Sequence, residues 1–551
     1  MKKIFILMLA LLVSISLVGC GSSKKTAEEL GMETEIEFLN FDSESAGKIV
    51  QYITGQWDEL LSEYGFTFTI NPQPFQQKME LTTSGDFSVT LSGWGPDYDW
   101  PTTYLDMWAS DSLYNDIGYN NEEFDALIDS TDKDEATVWK DLQKAEQILI
   151  EDAAFIPLYQ RNGVSLQNPL LKDLVYNKSG VNYVYKWAYK TDGSWINTLE
   201  SAKLPTLDPN KVTDTVSGDN LGNLNEGLVR QGQEPGTFVE GVAKEWSFDE
   251  ATMTWTFKLR DNANWVDCND NVVRKVVAQD FADSWARLID PATASQYADL
   301  YNKAKISEVN VISDTELQVV VSENVPYFLS IIAFGSFLPI NKEFVDAQNG
   351  NYGSTKETSL YNGSFFLSKW EHASSVQWTK SENYWDKASV KAPGVNIRVI
   401  EKYETATGVQ LYENGDIDRV GLSGEFVAQY ESDPNKIIVE GTSVFYLLLN
   451  VANGGISDTI TLDETFGHPL FDNVNIRKAL ALSFDKTFVS DDILKNGSFP
   501  ADYFVPSDYI ANKDGEAFES VRGDGYMIYD MDAAFEYLEK GMDELGIAKV
   551  S

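Results

Sequence analysis

Val138-Trp-Lys-Asp-Leu-Gln-Lys-Ala-Glu-Gln-Ile-Leu-Ile-Glu151 sets apolar residues three or four apart on a charged background, which is the spacing of an amphipathic helix. The same spacing recurs in Glu122 to Ser130 and in Ala533 to Leu545. Strand-like alternation lies between and beyond these segments, in Glu35-Ile-Glu-Phe-Leu39, Thr254-Trp-Thr-Phe-Lys-Leu259, Leu317-Gln-Val-Val-Val321 and Val444-Phe-Tyr-Leu-Leu-Leu449. Strands are mixed with helices along the whole chain rather than segregated by region, so α/β lobes are expected.

With 551 residues the chain is too long for one core, and two or three domains are expected. Its 43 basic and 85 acidic side chains give a net charge of −42, a field that repels phosphate and excludes a nucleic-acid binder working through a basic surface. Hydrophobic residues at 43% and aromatics at 13% exclude a disordered acidic chain. At the front, Lys2 and Lys3 precede an apolar run from Ile4 to Leu17 that closes in Leu17-Val-Gly-Cys20, and this resembles a bacterial lipoprotein signal. The resemblance implies cleavage before Cys20, a lipid on Cys20, and attachment to the extracytoplasmic face of the cell membrane. Gly-Ser-Ser-Lys-Lys-Thr follows as a polar tether, and no other stretch is long and apolar enough for a second span. The only other cysteine, Cys268, reads as an incidental small residue, so no disulfide framework is expected.

Sequence motifs of enzymes are absent: there is no H-E-x-x-H, C-x-x-C, G-x-S-x-G or Walker loop. His372 and His468 are the only histidines, too few for a multi-His zinc site. Paired carboxylates could serve a hydrolase, but among 85 acids some pair is always close. No enzyme, cofactor or metal is expected.

Several short stretches, in order, carry a family resemblance. Leu204-Pro-Thr-Leu-Asp-Pro209, Asn225-Glu-Gly-Leu228, Trp255-Thr-Phe-Lys-Leu-Arg260, Val277-Ala-Gln-Asp-Phe281 and Ser284-Trp-Ala-Arg-Leu-Ile-Asp-Pro-Ala-Thr-Ala-Ser295 come first. Asn362-Gly-Ser-Phe-Phe366, Asn383-Tyr-Trp-Asp386, Tyr412-Glu-Asn-Gly-Asp-Ile-Asp418 and Pro469-Leu-Phe-Asp-Asn-Val-Asn-Ile-Arg-Lys-Ala-Leu-Ala-Leu482 follow. Together they resemble the family 5 oligopeptide-binding lipoproteins of ABC peptide importers. Ser92-Gly-Trp-Gly-Pro-Asp-Tyr-Asp99, Phe124-Asp-Ala-Leu-Ile128, Ala145-Glu-Gln-Ile-Leu149 and Ile156-Pro-Leu-Tyr159 resemble the C-terminal third of that family, yet here they stand in front. The order reads as a circular permutation. Glu29-Leu30-Gly31 echoes Glu544-Leu545-Gly546, and Tyr189 to Trp195 would join the old ends through a polar turn.

The resemblance implies a class II periplasmic-binding-protein fold, two α/β lobes around a cleft with an extra domain. The expected division is signal 1–19, tether 20–30, lobe two 31–159 and 446–551, lobe one 160–220 and 340–445, and extra domain 221–339. If the permutation holds, Ile36 to Leu39 must share a sheet with the strand at Val444.

The implied function is capture of an oligopeptide by hinge closure and delivery to the permease subunits of an ABC importer, by a monomer. Asp97 would hold the ligand's α-ammonium, Gly93 and Gly95 would let its backbone approach, and Trp94 and Tyr98 would wall the pocket. Phe75 would line a side-chain pocket or pack in the core; Tyr297 and Tyr301 would approach the ligand. Main chain at Ala202, Lys203 and Leu204 could pair with the peptide as an added strand. Thr82 and Leu91 stand where some relatives have carboxylate-binding arginines, and the loop Trp265 to Ala278 departs from the usual pattern. A dipeptide, nickel chelate or oligosaccharide ligand, a secreted carboxylate-dependent hydrolase, and a rearranged chain without function stay open as alternatives.

Overall fold

The computed structural model describes residues 24–112, 114–128, 135–234, 236–401, 404–451, 467–512, 514–522 and 527–550; the signal and Cys20 lie outside them. Among the described residues no helix is long and apolar enough to cross a membrane.

The largest sheet has seven strands: β1 (Glu35–Phe41), β2 (Thr67–Gln73), β3 (Val89–Trp94), β4 (Ile156–Gln167), β5 (Arg419–Leu422), β6 (Lys436–Leu449) and β7 (Phe499–Pro500). Their spatial order is β2-β1-β3-β6-β4-β5, with β7 on β4 beside β5. β1 is parallel to β2 and β3; β6 is antiparallel to β3 and β4. The strand at Ile36 to Leu39 therefore shares a sheet with the strand at Val444, reached through β3. Strands so distant in sequence stay together because their apolar faces are buried in one core. Ile36, Phe38, Val89, Leu91, Leu447 and Leu449 pack with Trp57 of α1 (Glu44–Leu61), with Ile476 and Leu480 of Val474–Leu482, and with Leu538 and Met542 of Met531–Leu545.

The helix expected from Val138 runs over Glu135–Glu151 and buries Trp139, Leu142, Ala145, Leu149 and Ile150. That expected from Ala533 runs over Met531–Leu545; Asp530 caps it through Ala533 N–H, and Gly546 ends it at φ 71°. Next to Gly546 the two ends of the described chain meet. Lys25 N–H donates to Gly546 O at 3.1 Å, and Ala548 N–H donates to Lys25 O at 2.6 Å. Lys24 pairs with Asp543.

β4 and β6 are long, 12 and 14 residues, and run through the large sheet to its far edge, where β5 joins. Their register breaks between Val439 and Ser443. There Gly441 N–H is held by Asn162 Oδ1 at 2.9 Å, and a Cβ on Gly441 would stand 2.0 Å from Arg161 O.

Among the described residues, four two-stranded ribbons and two four-stranded sheets accompany the large sheet. One runs Phe365–Glu371, Ser375–Lys380, Gly394–Val399, Ile196–Glu200, its last pair parallel. It receives the chain after an exposed turn at Asp192-Gly193, where Gly193 has φ 76°. The other, Ala243–Asp249, Thr254–Leu259, Glu316–Val321, Ile306–Ser313, is antiparallel throughout. Its apolar core is continuous with that of the large sheet. Tyr98 stacks on Tyr327 with centroids 5.3 Å apart, and Trp100 meets the same ring at 5.6 Å.

Candidate functional site

β3 ends at Trp94, and the turn Gly95-Pro96-Asp97 carries the chain to the junction with the antiparallel sheet. Asp97 N–H donates to Thr103 Oγ1 at 2.8 Å, which fixes the backbone and leaves the side chain free to point at the junction. Tyr297 Oη donates to Asp97 Oδ1 at 3.3 Å. Burial pushes the Asp97 carboxyl up to about 7, and the Tyr297 hydrogen bond pulls it partly back. Asp97 lines a cavity of about 40 Å³ together with residues from 177–184, 222–231 and 330–338. The walls are tied across the junction: Gly180 N–H donates to Pro96 O, and Asp99 N–H to Ser330 Oγ, both at 2.9 Å. A filled ligand site measures roughly 300–1,000 Å³, so this cavity is too small to hold a peptide as it stands.

The same cavity is lined by Glu226 and Arg230. Glu226 is fully buried and holds three donors. Arg230 Nη1 and Trp385 Nε1 each reach it at 3.0 Å, and Tyr384 Oη bonds the same carboxylate. Burial opposes its charge, but Arg230 and Lys186 hold its carboxyl below the usual range. Lys186 is itself paired with Asp386 at 3.0 Å.

Trp94 is half-buried, donates Nε1 to Thr103 O at 2.7 Å, and starts an aromatic run through Tyr114 and Tyr297 to Phe334 on the cavity wall. Tyr297 is thus brought to Asp97. Gly93 and Gly95 are exposed; a Cβ on Gly93 would meet the Phe445 ring at 2.9 Å, and one on Gly95 would meet Ser443 Oγ at 3.1 Å. The neighbouring strand β6 therefore supplies a reason for glycine independent of any ligand.

Tyr98 differs from expectation. It is 1% exposed and turned away from the cavity, donating to Asp106 Oδ2 at 2.9 Å with Thr102 Oγ1 at 2.8 Å, because its ring completes the core with Tyr327. Phe75 stacks on Phe41 at 5.8 Å and Tyr301 packs against the core; neither lines the cavity. Ala202, Lys203 and Leu204 also lie off it: Lys203 pairs with Glu401 at 3.2 Å and Leu204 is buried among the side chains of the mixed sheet. Glu226, Arg230 and Phe334 are cavity residues that sequence reading did not single out. Glu226 and Arg230 lie between the end of a helix at Leu224 and the strand Val229–Gln231, so their four-residue spacing carried no helical pairing signal. Among the described residues no cluster of three or more His, Cys, Asp or Glu could hold a metal.

Comparison with known proteins gives the same architecture. The chain is 30% identical to the dipeptide-binding protein DppE of Bacillus subtilis over 371 residues, 64% of this chain and 63% of that one. It is 28% identical to the oligopeptide-binding protein OppA of the same organism, covering 63% of this chain and 62% of the relative. The chain therefore spans less than two thirds of the curated relatives it matches. Among solved structures, Listeria monocytogenes OppA bound to peptide superposes with a TM-score of 0.56 at 27% identity, over 65% of this chain and 70% of that one. The substrate-binding domain of an oligopeptide ABC transporter from Bacillus anthracis gives 0.55 at 32% identity, over 64% and 67%. Residues 237–547 match the family described as bacterial extracellular solute-binding proteins, family 5 Middle. That span is more than half of the chain, which thus belongs to family 5 of the bacterial extracellular solute-binding proteins, two-lobed α/β receptors.

Proposed function

We propose that the protein captures short peptides in its interlobe cavity and delivers them to an ABC importer, without chemistry on the ligand. The observation that carries this reading is Asp97, a carboxylate on the cavity wall whose side chain has one long hydrogen bond, from Tyr297. A peptide α-ammonium supplies what it lacks, a positive charge and donors at close range. Entry requires the lobes to part, and β4 and β6, with their register break at Gly441, are suited to serve as the hinge.

The reading extends to the order of the chain. Lobe two is taken to be built from 31–159 and 446–551, lobe one from 160–220 and 340–445, with the extra domain at 221–339, as a circular permutation of the family order. Three observations support this: β1 and β6 share a sheet, Lys25 bridges Ile547, and the family match stops short of residues 24–190 although these fill the same sheet. A lipid on Cys20 would then hold the receptor to the membrane from lobe two.

Isothermal titration of the full chain with free-amine peptides and their N-acetyl forms tests the function. Free-amine peptides should bind and acetylation should weaken them about ten- to a hundredfold, the range for a charge-assisted hydrogen bond. Equal affinity for both forms would sink it.

A further inference from the structure

Lys25 is held fast at one pole of the large sheet. Its N–H donates to Gly546 O at 3.1 Å, its carbonyl accepts from Ala548 N–H at 2.6 Å, and Ala27 behind it is buried. Two residues past Ala548, Val550 N–H donates to Glu63 O at 2.8 Å, and Glu63 stands just beyond the last turn of α1. At this pole β1 and β2 begin side by side, Glu35 paired with Thr67. The Asp97 cavity stands at the other pole. There β1 ends at Phe41, whose ring lies 4.6 Å from Lys78 Nζ, and Lys78 bonds Ser92 of β3. β3 runs parallel to β1 and leads through Trp94 into the turn that carries Asp97. Two elements measure the separation of the poles: the 18 residues of α1 rise about 27 Å, and the 7 residues of β1 about 23 Å.

We infer that the pole where the two chain ends meet is the surface this protein turns to the lipid bilayer, and that the Asp97 cavity stands on the side away from it. The lipid proposed for Cys20 lies five residues before Lys25, a stretch that spans at most about 18 Å when fully extended. Turning the cavity face-down would lift Lys25 at least about 23 Å off the bilayer, beyond that reach. The tether cannot lengthen while Lys25 keeps its bonds to Gly546 and Ala548. Charge does not draw this pole to anionic lipid, because Lys24 is already paired with Asp543 and Lys549 with Glu63. Tether length alone sets the approach, and a transporter in the same bilayer has to be met by the side of the molecule unless the Lys25 bonds break.

This rests on the proposed lipid at Cys20 and is independent of which ligand the cavity takes. The lipidated full chain, carrying Cys268→Ser, would be placed in vesicles of phosphatidylethanolamine and phosphatidylglycerol. A fluorophore is attached through Ser62→Cys or Ser45→Cys, exposed positions at the two ends of α1. Quenching by nitroxide-labelled headgroups should be several-fold stronger at position 62 than at 45, in low and high salt alike. Inserting about twenty Gly and Ser residues after Ser23 should abolish the contrast, because the tether then reaches past the height of α1. Equal quenching at both positions without the insertion, or stronger quenching at 45, would overturn the inference and leave the lipid reading standing. Loss of the contrast in high salt would overturn it as well, since charge would then set the orientation. A chain that washes off the vesicles would overturn both.

Discussion

Burial pushes the Asp97 carboxyl up to about 7, far above its ordinary value of 3.8. An acid raised on folding binds protons more strongly in the native state, so its ionisation lowers stability as pH rises from about 4 to about 7, and the loss is complete above that. Asp97→Asn should therefore melt higher than the parent at pH 8, with the difference shrinking towards pH 4, while losing about ten- to a hundredfold in affinity for free-amine peptides. Thermal melts and titrations of the same samples measure both; a variant that loses stability at pH 8 would show the carboxylate to be structural. Peptide affinity of the parent should fall as pH drops below about 7. Lys78 has the opposite sign. Fully buried beneath β3, it donates to Ser92 Oγ at 2.8 Å, and burial lowers it to about 7. Lys78→Met should stabilise the protein most below pH 7, where the buried ammonium carries its full penalty, and less towards pH 10. Legibility at this scale follows chemistry. Asp97 could be picked out because its turn resembles a family motif, but nothing in the sequence says whether the adjacent Tyr98 faces cavity or core. Tyr327, more than two hundred residues away, decides that.

Elements were readable where one face is buried along their whole length. The spacing in Val138 to Glu151 gives the helix to within three residues of its start, and the alternation in Glu35 to Leu39 gives β1. β6 was read only as Val444 to Leu449, its buried end, because Lys436 to Ser443 is half-exposed and broken by Gly441. That break is where the element is most sensitive. Gly441→Ala would drive a methyl group into Arg161 O at 2.0 Å, so the strand must shift, and a loss on the order of 2 kcal/mol or more is expected by chemical denaturation. Gly93→Ala should do less. Its Cβ meets the Phe445 ring, which can tilt, although Tyr159 stacked on its other face at 4.8 Å resists. If Gly441→Ala proves neutral, the register break is not a tight bulge.

For the whole molecule, family order was legible as a set of short stretches, and the proposed displacement of the front block was legible only because those stretches carried an order to violate. Composition and charge were blind to it: a sheet made from both ends of a chain has the same content as one made from neighbours. A chain rearranged to run 194–547 and then 32–190 should fold to the same far-ultraviolet spectrum and bind the same peptides, since Ile547 lies beside Lys25 and the Asp192-Gly193 turn is exposed. Aggregation of that chain would count against the permutation. The contact of Tyr98 and Trp100 with Tyr327 also has a thermal side. The proposed parting of the lobes would hydrate these rings, and hydration of apolar surface raises heat capacity and grows easier as temperature falls. On the proposed reading the protein should thus hold itself shut more firmly when warm and stand open for a larger share of the time in the cold.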